Sequence, residues 1–486
     1  MSTKRHTIYN IAGATVPLAV ALLTIPLYLK TIGDIRYGVL MLAWVLLGNF
    51  GLFDLGLGRA LAQRIAALRK SSPEDRAAVF WTAVASNAVL GAVGGLILIP
   101  VAGFFFSTMA SIPPEIRGEI SGASLWLALA VPIATISGAL TGALQGDARF
   151  LRLNASSIFG TVLFQVLPLL AALSGHIELS VLMPVVILAR ILAMVSLMLA
   201  CRDYLMSFRQ AAWSRGELGT MLRAGGWISL TTLFSPMVLA ADRVAIGALS
   251  GTAMVTNYGV PYQLGEKSTI FSYAMASALF PRFATANSSE ASRLAREGQR
   301  LIAIVMTPTI ITVIIVLEPF LAWWVSGDFA ESAAPAGQVL LAGFWLSGFS
   351  KIPHLQLQAI GRPDLVAKAL LLQVVPYGLA LYFAITAFGI VGAAMAFAAK
   401  AALDSAMLAW LTNELGATVR LLAMPVLLMS VISVSSVALL SEVETRIALS
   451  AVFAGAVAWS WSKTPKAYKD MASDSFARAL QRVARK

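Results

Sequence analysis

The sequence predicts an all-α polytopic membrane protein with about fourteen transmembrane helices, laid out as two pseudo-symmetric six-helix lobes (parallel repeats) plus two C-terminal helices. Three observations predict it: the composition, the spacing of apolar stretches, and an internal repeat. Of 486 residues, 58% are hydrophobic and 12% charged, with mean hydropathy +0.79. That is too little charge to cover a soluble surface of this size. A single cysteine, Cys201, excludes an internal disulfide framework and a cysteine-based metal cluster. Three histidines leave little material for imidazole chemistry.

A crossing needs roughly 20 mostly apolar residues. Reading in order, spans 1–6 fall near 8–29, 37–57, 79–105, 120–144, 155–173 and 181–200, and spans 7–12 near 227–249, 258–281, 301–325, 336–360, 369–388 and 390–411. Spans 13 and 14 fall near 421–440 and 446–462. The basic start before span 1 resembles a signal peptide, but its apolar stretch runs past 20 residues, so a retained first helix is expected. Several spans carry Pro (Pro17, Pro26, Pro132, Pro168, Pro236, Pro308, Pro376). These free backbone groups that only packed protein or water can satisfy; they serve equally as bending points or as ordinary kinks.

Charge orients the spans. Of 36 Lys and Arg, 28 fall at the N-terminus, in the even-numbered loops and in the tail, against four (Lys30, Arg36, Arg117, Arg446) in the odd-numbered loops. The positive-inside rule then places both termini in the cytoplasm. The net charge of +12 is therefore mostly an orientation signal, not a sign of nucleic-acid binding.

The chain repeats itself. Tyr37-Gly38-Val39 recurs as Tyr258-Gly259-Val260, and Leu144-Gln145-Gly146-Asp147-Ala148-Arg149 as Leu357-Gln358-Ala359-Ile360-Gly361-Arg362. Gln165-Val166-Leu167-Pro168 recurs as Gln373-Val374-Val375-Pro376, and Arg190 in span 6 matches Lys400 in span 12. The order is kept and the offsets drift only from 221 to 208. This divides the chain into an N-lobe (1–205), a cytoplasmic connector (206–226), a C-lobe (227–415), and a final helix pair with a basic tail (416–486). The connector is expected to lie as an amphipathic helix on the bilayer surface. Spans 1 and 7 run the same way, which suits a cavity between lobes and alternating access.

Ionisable groups inside spans cost roughly 2.5–3.5 kcal/mol each on insertion scales and are functional candidates by default. Nine stand out: Asp54, Arg190, Asp242, Arg243, Glu266, Lys267, Glu318, Lys400 and Asp404. Lys400 and Asp404 are four residues apart, in reach of an ion pair. Arg190 has no acid in its span and needs a partner on another helix, water, or an anionic ligand. Asp242-Arg243 and Glu266-Lys267 are neighbours some 100° apart on a helix, so members of a doublet are expected to face apart and to cross-pair between spans. Asp54 is expected to cap or pair near Arg59, and Glu318 to reach the interface. His354 is expected to pack, with no acid partner nearby in sequence. Gly265-Glu266-Lys267-Ser268 is not a phosphate-binding loop, and no metal-ligand spacing is present.

In order and spacing, Asn10, Pro17 and Pro26-Leu27-Tyr28, then Gly33-Asp34-Ile35-Arg36-Tyr37-Gly38 and Phe53-Asp54-Leu55-Gly56-Leu57 form a pattern. It continues in Trp227-Ile228-Ser229, Asp242-Arg243, Tyr258-Gly259-Val260, Leu279-Phe280-Pro281 and Phe388-Gly389-Ile390-Val391-Gly392-Ala393-Ala394. The pattern resembles the polysaccharide-exporter branch of the MATE-like flippase superfamily. The resemblance implies a flippase, not an enzyme, moving undecaprenyl-diphosphate-linked oligosaccharide units across the bacterial inner membrane for O-antigen, capsule or exopolysaccharide synthesis. It implies no cofactor or metal, with coupling to an ion gradient or the membrane potential as the open source of energy. Membrane lipid surrounds the protein, a polysaccharide polymerase and a chain-length regulator are further partners it admits, and nucleic acid is not one. Substrate-binding candidates are Arg190, Arg243, Lys267 and Lys400, with Lys30, Arg36 and Arg59 nearer the portal; Asp54, Asp242, Glu266 and Asp404 fit coupling or structural ion pairs. Other readings compatible with the sequence are a multidrug or small-cation antiporter, a lipid II flippase, and a membrane-embedded glycosyl- or acyltransferase.

Overall fold

The computed structural model describes residues 3–48, 54, 56–68, 71–108, 116, 118–119, 123–206, 216–219, 221, 238, 240–437 and 442–464. The first half of span 7, Trp227-Ile228-Ser229, most of the connector and the tail lie outside the described residues. Everything long is helical. Spans 1 and 2 form α1 (Thr3–Gly48), broken only at Gly33, whose φ of 77° and ψ of 170° turn the chain where a loop was expected. After α2 (Leu57–Ala67) come α3 (Pro73–Thr108), α4 (Ala123–Gly146), α5 (Phe150–Leu173), α6 (Leu179–Ala200) and the short α7 (Arg202–Met206). These carry spans 3–6.

Beyond the connector, a helical segment over 240–250 leads into α8 (Thr252–Lys267) and α9 (Ile270–Phe283). The expected span 8 is thus divided at Ser268-Thr269. Spans 9 and 10 are α10 (Ser288–Trp324) and α11 (Gly327–Ala359). Their starts are capped by Asn287, accepting from Glu290 N at 2.9 Å, and Ser326, accepting from Phe329 N at 3.2 Å. Spans 11 and 12 form α12 (Pro363–Leu411), broken at Gly389 (φ 57°, ψ −136°), and α13 (Leu415–Val437) and α14 (Glu442–Lys463) close the chain. Seven of the described helices are long and apolar enough to cross a membrane. Large apolar side chains such as Leu23, Leu199, Leu372 and Trp323 stand exposed, as a lipid-facing surface requires. The protein is a multi-pass membrane protein.

The chain divides into two compact units, Met1–Val260 with Ile385–Ile390, and Pro261–Ala384 with Val391–Lys486. In the first unit, helices approach through glycine. A Cβ on Gly142 would sit 2.1 Å from the Gly58 carbonyl oxygen, and one on Gly146 2.7 Å from that of Ala62. With Gly138 these make a small-residue stripe that sets α2 directly on α4. Beside this contact lies a core of Leu57, Leu61, Ile65, Phe80, Leu140 and Tyr204. In the second unit, buried Trp345 donates to Thr307 at 3.1 Å between α11 and α10, and Tyr262, Phe344 and Phe397 form an aromatic cluster.

The sequence repeat has a backbone counterpart. Left-handed residues recur in register: Gly33 and Gly251, Ala148 and Gly361, Gly175 and Gly389. Each pair marks equivalent turns, before spans 2 and 8, before spans 5 and 11, and before spans 6 and 12. The repeated Tyr-Gly-Val also gains a physical reason. A Cβ on Gly38 would lie 1.9 Å from the Thr252 carbonyl oxygen, and one on Gly259 would lie 2.3 Å from Met41 Cε. The two glycines permit α1 and α8 to cross closely, and Thr256 Oγ1 donates to the Asp34 carbonyl at 2.7 Å beside them.

Candidate functional site

In the first unit, Arg190 projects from α6 over the Phe164 ring of α5, 4.2 Å from its centroid. Phe164 contacts Trp44 (5.5 Å between centroids), and Trp44 meets Tyr28 and Tyr37 at 5.9 and 5.7 Å. The box is held from below by polar contacts. Tyr28 donates its hydroxyl to the Gln165 carbonyl at 2.7 Å, and Thr24 donates to Gln165 Oε1 at 3.2 Å. The repeated glutamine thus ties α5 to α1. Arg190 makes no ion pair among the described residues, and its buried Nε has no hydrogen-bond partner; neither has the buried Trp44 Nε1. Two orphaned N–H donors therefore border one ring, an arrangement that native interiors rarely leave without a purpose. Stacking a guanidinium face on an aromatic ring leaves its edge N–H groups free for an in-plane acceptor.

The repeat-related cation of the second unit follows the same pattern. Lys400 lies over the Tyr377 ring, 5.7 Å from its centroid. The expected Lys400–Asp404 ion pair does not form: Lys400 turns to the ring, and Asp404 instead accepts from Gln373 Nε2 at 3.4 Å. Sequence reasoning missed Lys351, which was not among the in-span charges singled out. The structure carries α11 through it, and Lys351 shares its electrostatic surroundings with Asp404, Lys400 and Glu266. The signal was present: Lys351 and His354 stand one turn apart, inside the predicted span 336–360. His354 Nε2 lies 3.0 Å from Gln358 Nε2 within α11.

Both acid–base doublets close on themselves, which corrects the expectation that neighbours must face apart. Arg243 Nε lies 3.3 Å from Asp242 Oδ1, and Lys267 Nζ lies 3.7 Å from Glu266 Oε2. Three or four methylenes let a long cation bend back across the 100° between adjacent positions. Asp242, 1% exposed, also receives the Tyr258 hydroxyl at 2.7 Å, so the Tyr258 motif residue satisfies a buried carboxylate. Glu266, Lys30, Arg59 and Glu318 are exposed, and Lys267 is half-buried.

Asp54, two residues before the N-cap Gly56, accepts from the Gly58 N–H at 2.9 Å in the first turn of α2. Arg36 is committed elsewhere than to a portal. It forms a bidentate pair with Glu119 (2.7 and 3.2 Å), whose Oε2 also accepts the Leu179 N–H at the start of α6. Burial opposes the Glu119 charge, but the Arg36 hydrogen bonds, the Leu179 N–H and the Arg36 charge outweigh it and hold the carboxyl below its ordinary value. Among the described residues no group of three or more His, Cys, Asp or Glu is placed to hold a metal ion.

Comparison with known proteins agrees with this architecture. A Shigella flexneri protein provisionally named an O-antigen transporter is 24% identical over 417 residues, spanning 85% of this chain and 99% of that protein. The lipid II flippase MurJ, in an inward closed conformation, superposes with a TM-score of 0.72 at 10% identity, covering 93% of this chain and 98% of its own. A multidrug resistance MATE family transporter of the MOP superfamily, inward-facing, superposes with a TM-score of 0.66 at 15% identity, covering 86% of this chain and 96% of its own. At such identities the structural likeness establishes the fold. Residues 35–334, well over half of the chain, match the sequence family described as polysaccharide biosynthesis protein, and the chain belongs to that family.

Proposed function

We propose that this protein is a transporter, not an enzyme, that flips undecaprenyl-diphosphate-linked oligosaccharide from the inner to the outer leaflet of the bacterial inner membrane. The observation that carries the reading is the pair of orphaned donors, Arg190 Nε and Trp44 Nε1, around Phe164. A diphosphate supplies in-plane acceptor oxygens and negative charge, so it satisfies both needs of that site through charge-assisted hydrogen bonds. The family and the O-antigen transporter relative support the glycan side of the substrate.

Arg190 is the principal headgroup ligand, with Lys400 its counterpart in the second unit; Arg243, Lys267, Lys30 and Arg59 follow as secondary cations along the path. Arg36 and Asp54 serve structure, and Asp242, Glu266 and Asp404 hold neighbouring polar groups in place. A small-cation antiporter would be expected to aim an uncommitted acid into its aromatic box. Here the box holds a cation, and the most buried in-span acid, Asp242, is already satisfied by Tyr258 and Arg243. Both termini lie in the cytoplasm, and translocation draws on an ion gradient or the membrane potential, with no cofactor. The polymerase and chain-length regulator that consume the product are its functional neighbours.

The test is direct. Purified protein in proteoliposomes should move a fluorescent lipid-linked oligosaccharide to the opposite leaflet faster than protein-free vesicles. Flipping at the protein-free rate overturns the reading, and rescue of a strain lacking its lipid II flippase would redirect it to peptidoglycan precursors.

A further inference from the structure

Beyond α6, the chain packs on the first unit wherever it is described before residue 222. Residues 201–206 at the end of the N-lobe, and 216–219 and 221 within the connector, dock on one face built from the ends of α2–α5. At the near end, Cys201 is fully buried and its thiol donates to the Leu140 carbonyl at 3.6 Å. Tyr204 stacks on Phe80 with 4.7 Å between centroids. Its hydroxyl receives Arg76 Nη2 at 2.7 Å and donates to Asp147 Oδ2 at 3.1 Å. Arg76 also pairs directly with Asp147, and Arg149 approaches Asp147 Oδ2 at 3.3 Å. Asp203 gathers Arg149 and Arg152.

At the far end, Glu217 forms a bidentate pair with Arg64 of α2 (2.8 and 2.9 Å), and Met221, 1% exposed, enters the same core as Leu61 and Phe80. An isolated exposed ion pair holds little. These pairs act differently because each flanks a buried side chain: Tyr204 at one end and Met221 at the other. Undocking the near end would strip Tyr204 from the core and take its hydroxyl from Asp147, almost fully buried, and undocking the far end would expose Met221.

We infer that residues 201–206 together with 216–219 and 221 form a latch, held by Asp203–Arg149 and Tyr204–Asp147 at one end and by Glu217–Arg64 at the other, that stays docked on the first unit throughout the transport cycle. The latch rests on the reading of the protein as a transporter only for its consequence, because docking itself is measurable without substrate. Spin labels placed on the full-length protein in lipid nanodiscs at Gln63→Cys on α2 and Gly219→Cys on the latch report it. Gln63 is exposed, and a Cβ at Gly219 meets open space.

A single narrow distance is expected, unchanged when lipid-linked oligosaccharide is added. Glu217→Gln should shift the docked population by about two- to fivefold and broaden the distribution. Glu217→Arg should broaden it further, and the swap Arg64→Glu with Glu217→Arg should restore both the narrow distance and transport. A broad distance in the wild type, one that moves with substrate, or a swap that restores nothing overturns the latch. Absent flipping together with a narrow, swap-restorable distance overturns the flippase reading and leaves the latch standing.

Discussion

Replacing Arg190 by Met separates binding from folding at the proposed headgroup site. Methionine keeps an unbranched stem against Phe164 and removes the guanidinium that stands over the ring at 4.2 Å. The protein loses a cation–π contact of about 0.5–2 kcal/mol. It also regains an insertion cost of about 2.5–3.5 kcal/mol, because Arg190 makes no ion pair among the described residues to offset its place within the span. Net stability should therefore hold or rise slightly. A diphosphate would lose charge-assisted hydrogen bonds of about 1.5–3 kcal/mol, or roughly 10- to 150-fold in transport efficiency. The assay is initial flipping rate in proteoliposomes at matched protein density, with thermal unfolding in detergent alongside. Arg190→Lys keeps the charge without the planar fork and should fall between wild type and Arg190→Met. Wild-type flipping by Arg190→Met would refute the assignment. So would a methionine variant that unfolds, because Arg190 would then be a structural cation.

Other positions test the frame around the site. Gly142→Ala would drive a methyl to 2.1 Å from the Gly58 carbonyl oxygen, so about 1–3 kcal/mol of stability should be lost and the melting temperature should fall; an unchanged melting temperature would mean that α2 and α4 do not cross this closely. Tyr258→Phe leaves one oxygen of buried Asp242 without its hydroxyl donor and should cost about 1–3 kcal/mol, measured by denaturation. Asp203 titrates below the ordinary carboxylate range because Arg149 hydrogen-bonds it and because Arg149, Arg152 and Arg202 surround it with positive charge. A depressed folded pKa contributes stability that is present above the unfolded value and lost as pH falls through the folded one. The Asp203 contacts should therefore hold from pH 8 to 5, and a latch distance that changed within that window would contradict them.

How much was legible in the sequence differs between backbone and side chains. Long apolar stretches must become helices in lipid because no water satisfies their backbone, so most spans sit where hydropathy places them. The repeat was visible in Tyr37-Gly38-Val39 and Tyr258-Gly259-Val260, and its glycines proved to be crossing points of α1 and α8. Arg190 stood out because an unpaired cation in a span must find its compensation off its own helix, and it did so on Phe164. Asp54 was expected to cap or to pair near Arg59, and its carboxylate accepts the Gly58 N–H.

The pairings were not legible, because they join residues far apart in the chain or turn on side-chain length and rotamer. Arg36 read as a portal cation until folding brought Glu119, 83 residues away, into bidentate contact. Lys400 and Asp404 had the right spacing for a pair, yet each found a better partner in the neighbouring span, Tyr377 and Gln373. The doublets closed internally because flexible cations bend where a helical wheel shows only Cβ directions. By itself the sequence determined which segments enter the membrane, their orientation signal and which charges needed explaining, since each follows from transfer free energies of local stretches. Only the tertiary structure decided which of those charges are spent on protein partners and which leave a donor without one among the described residues, because that depends on contacts no local window contains.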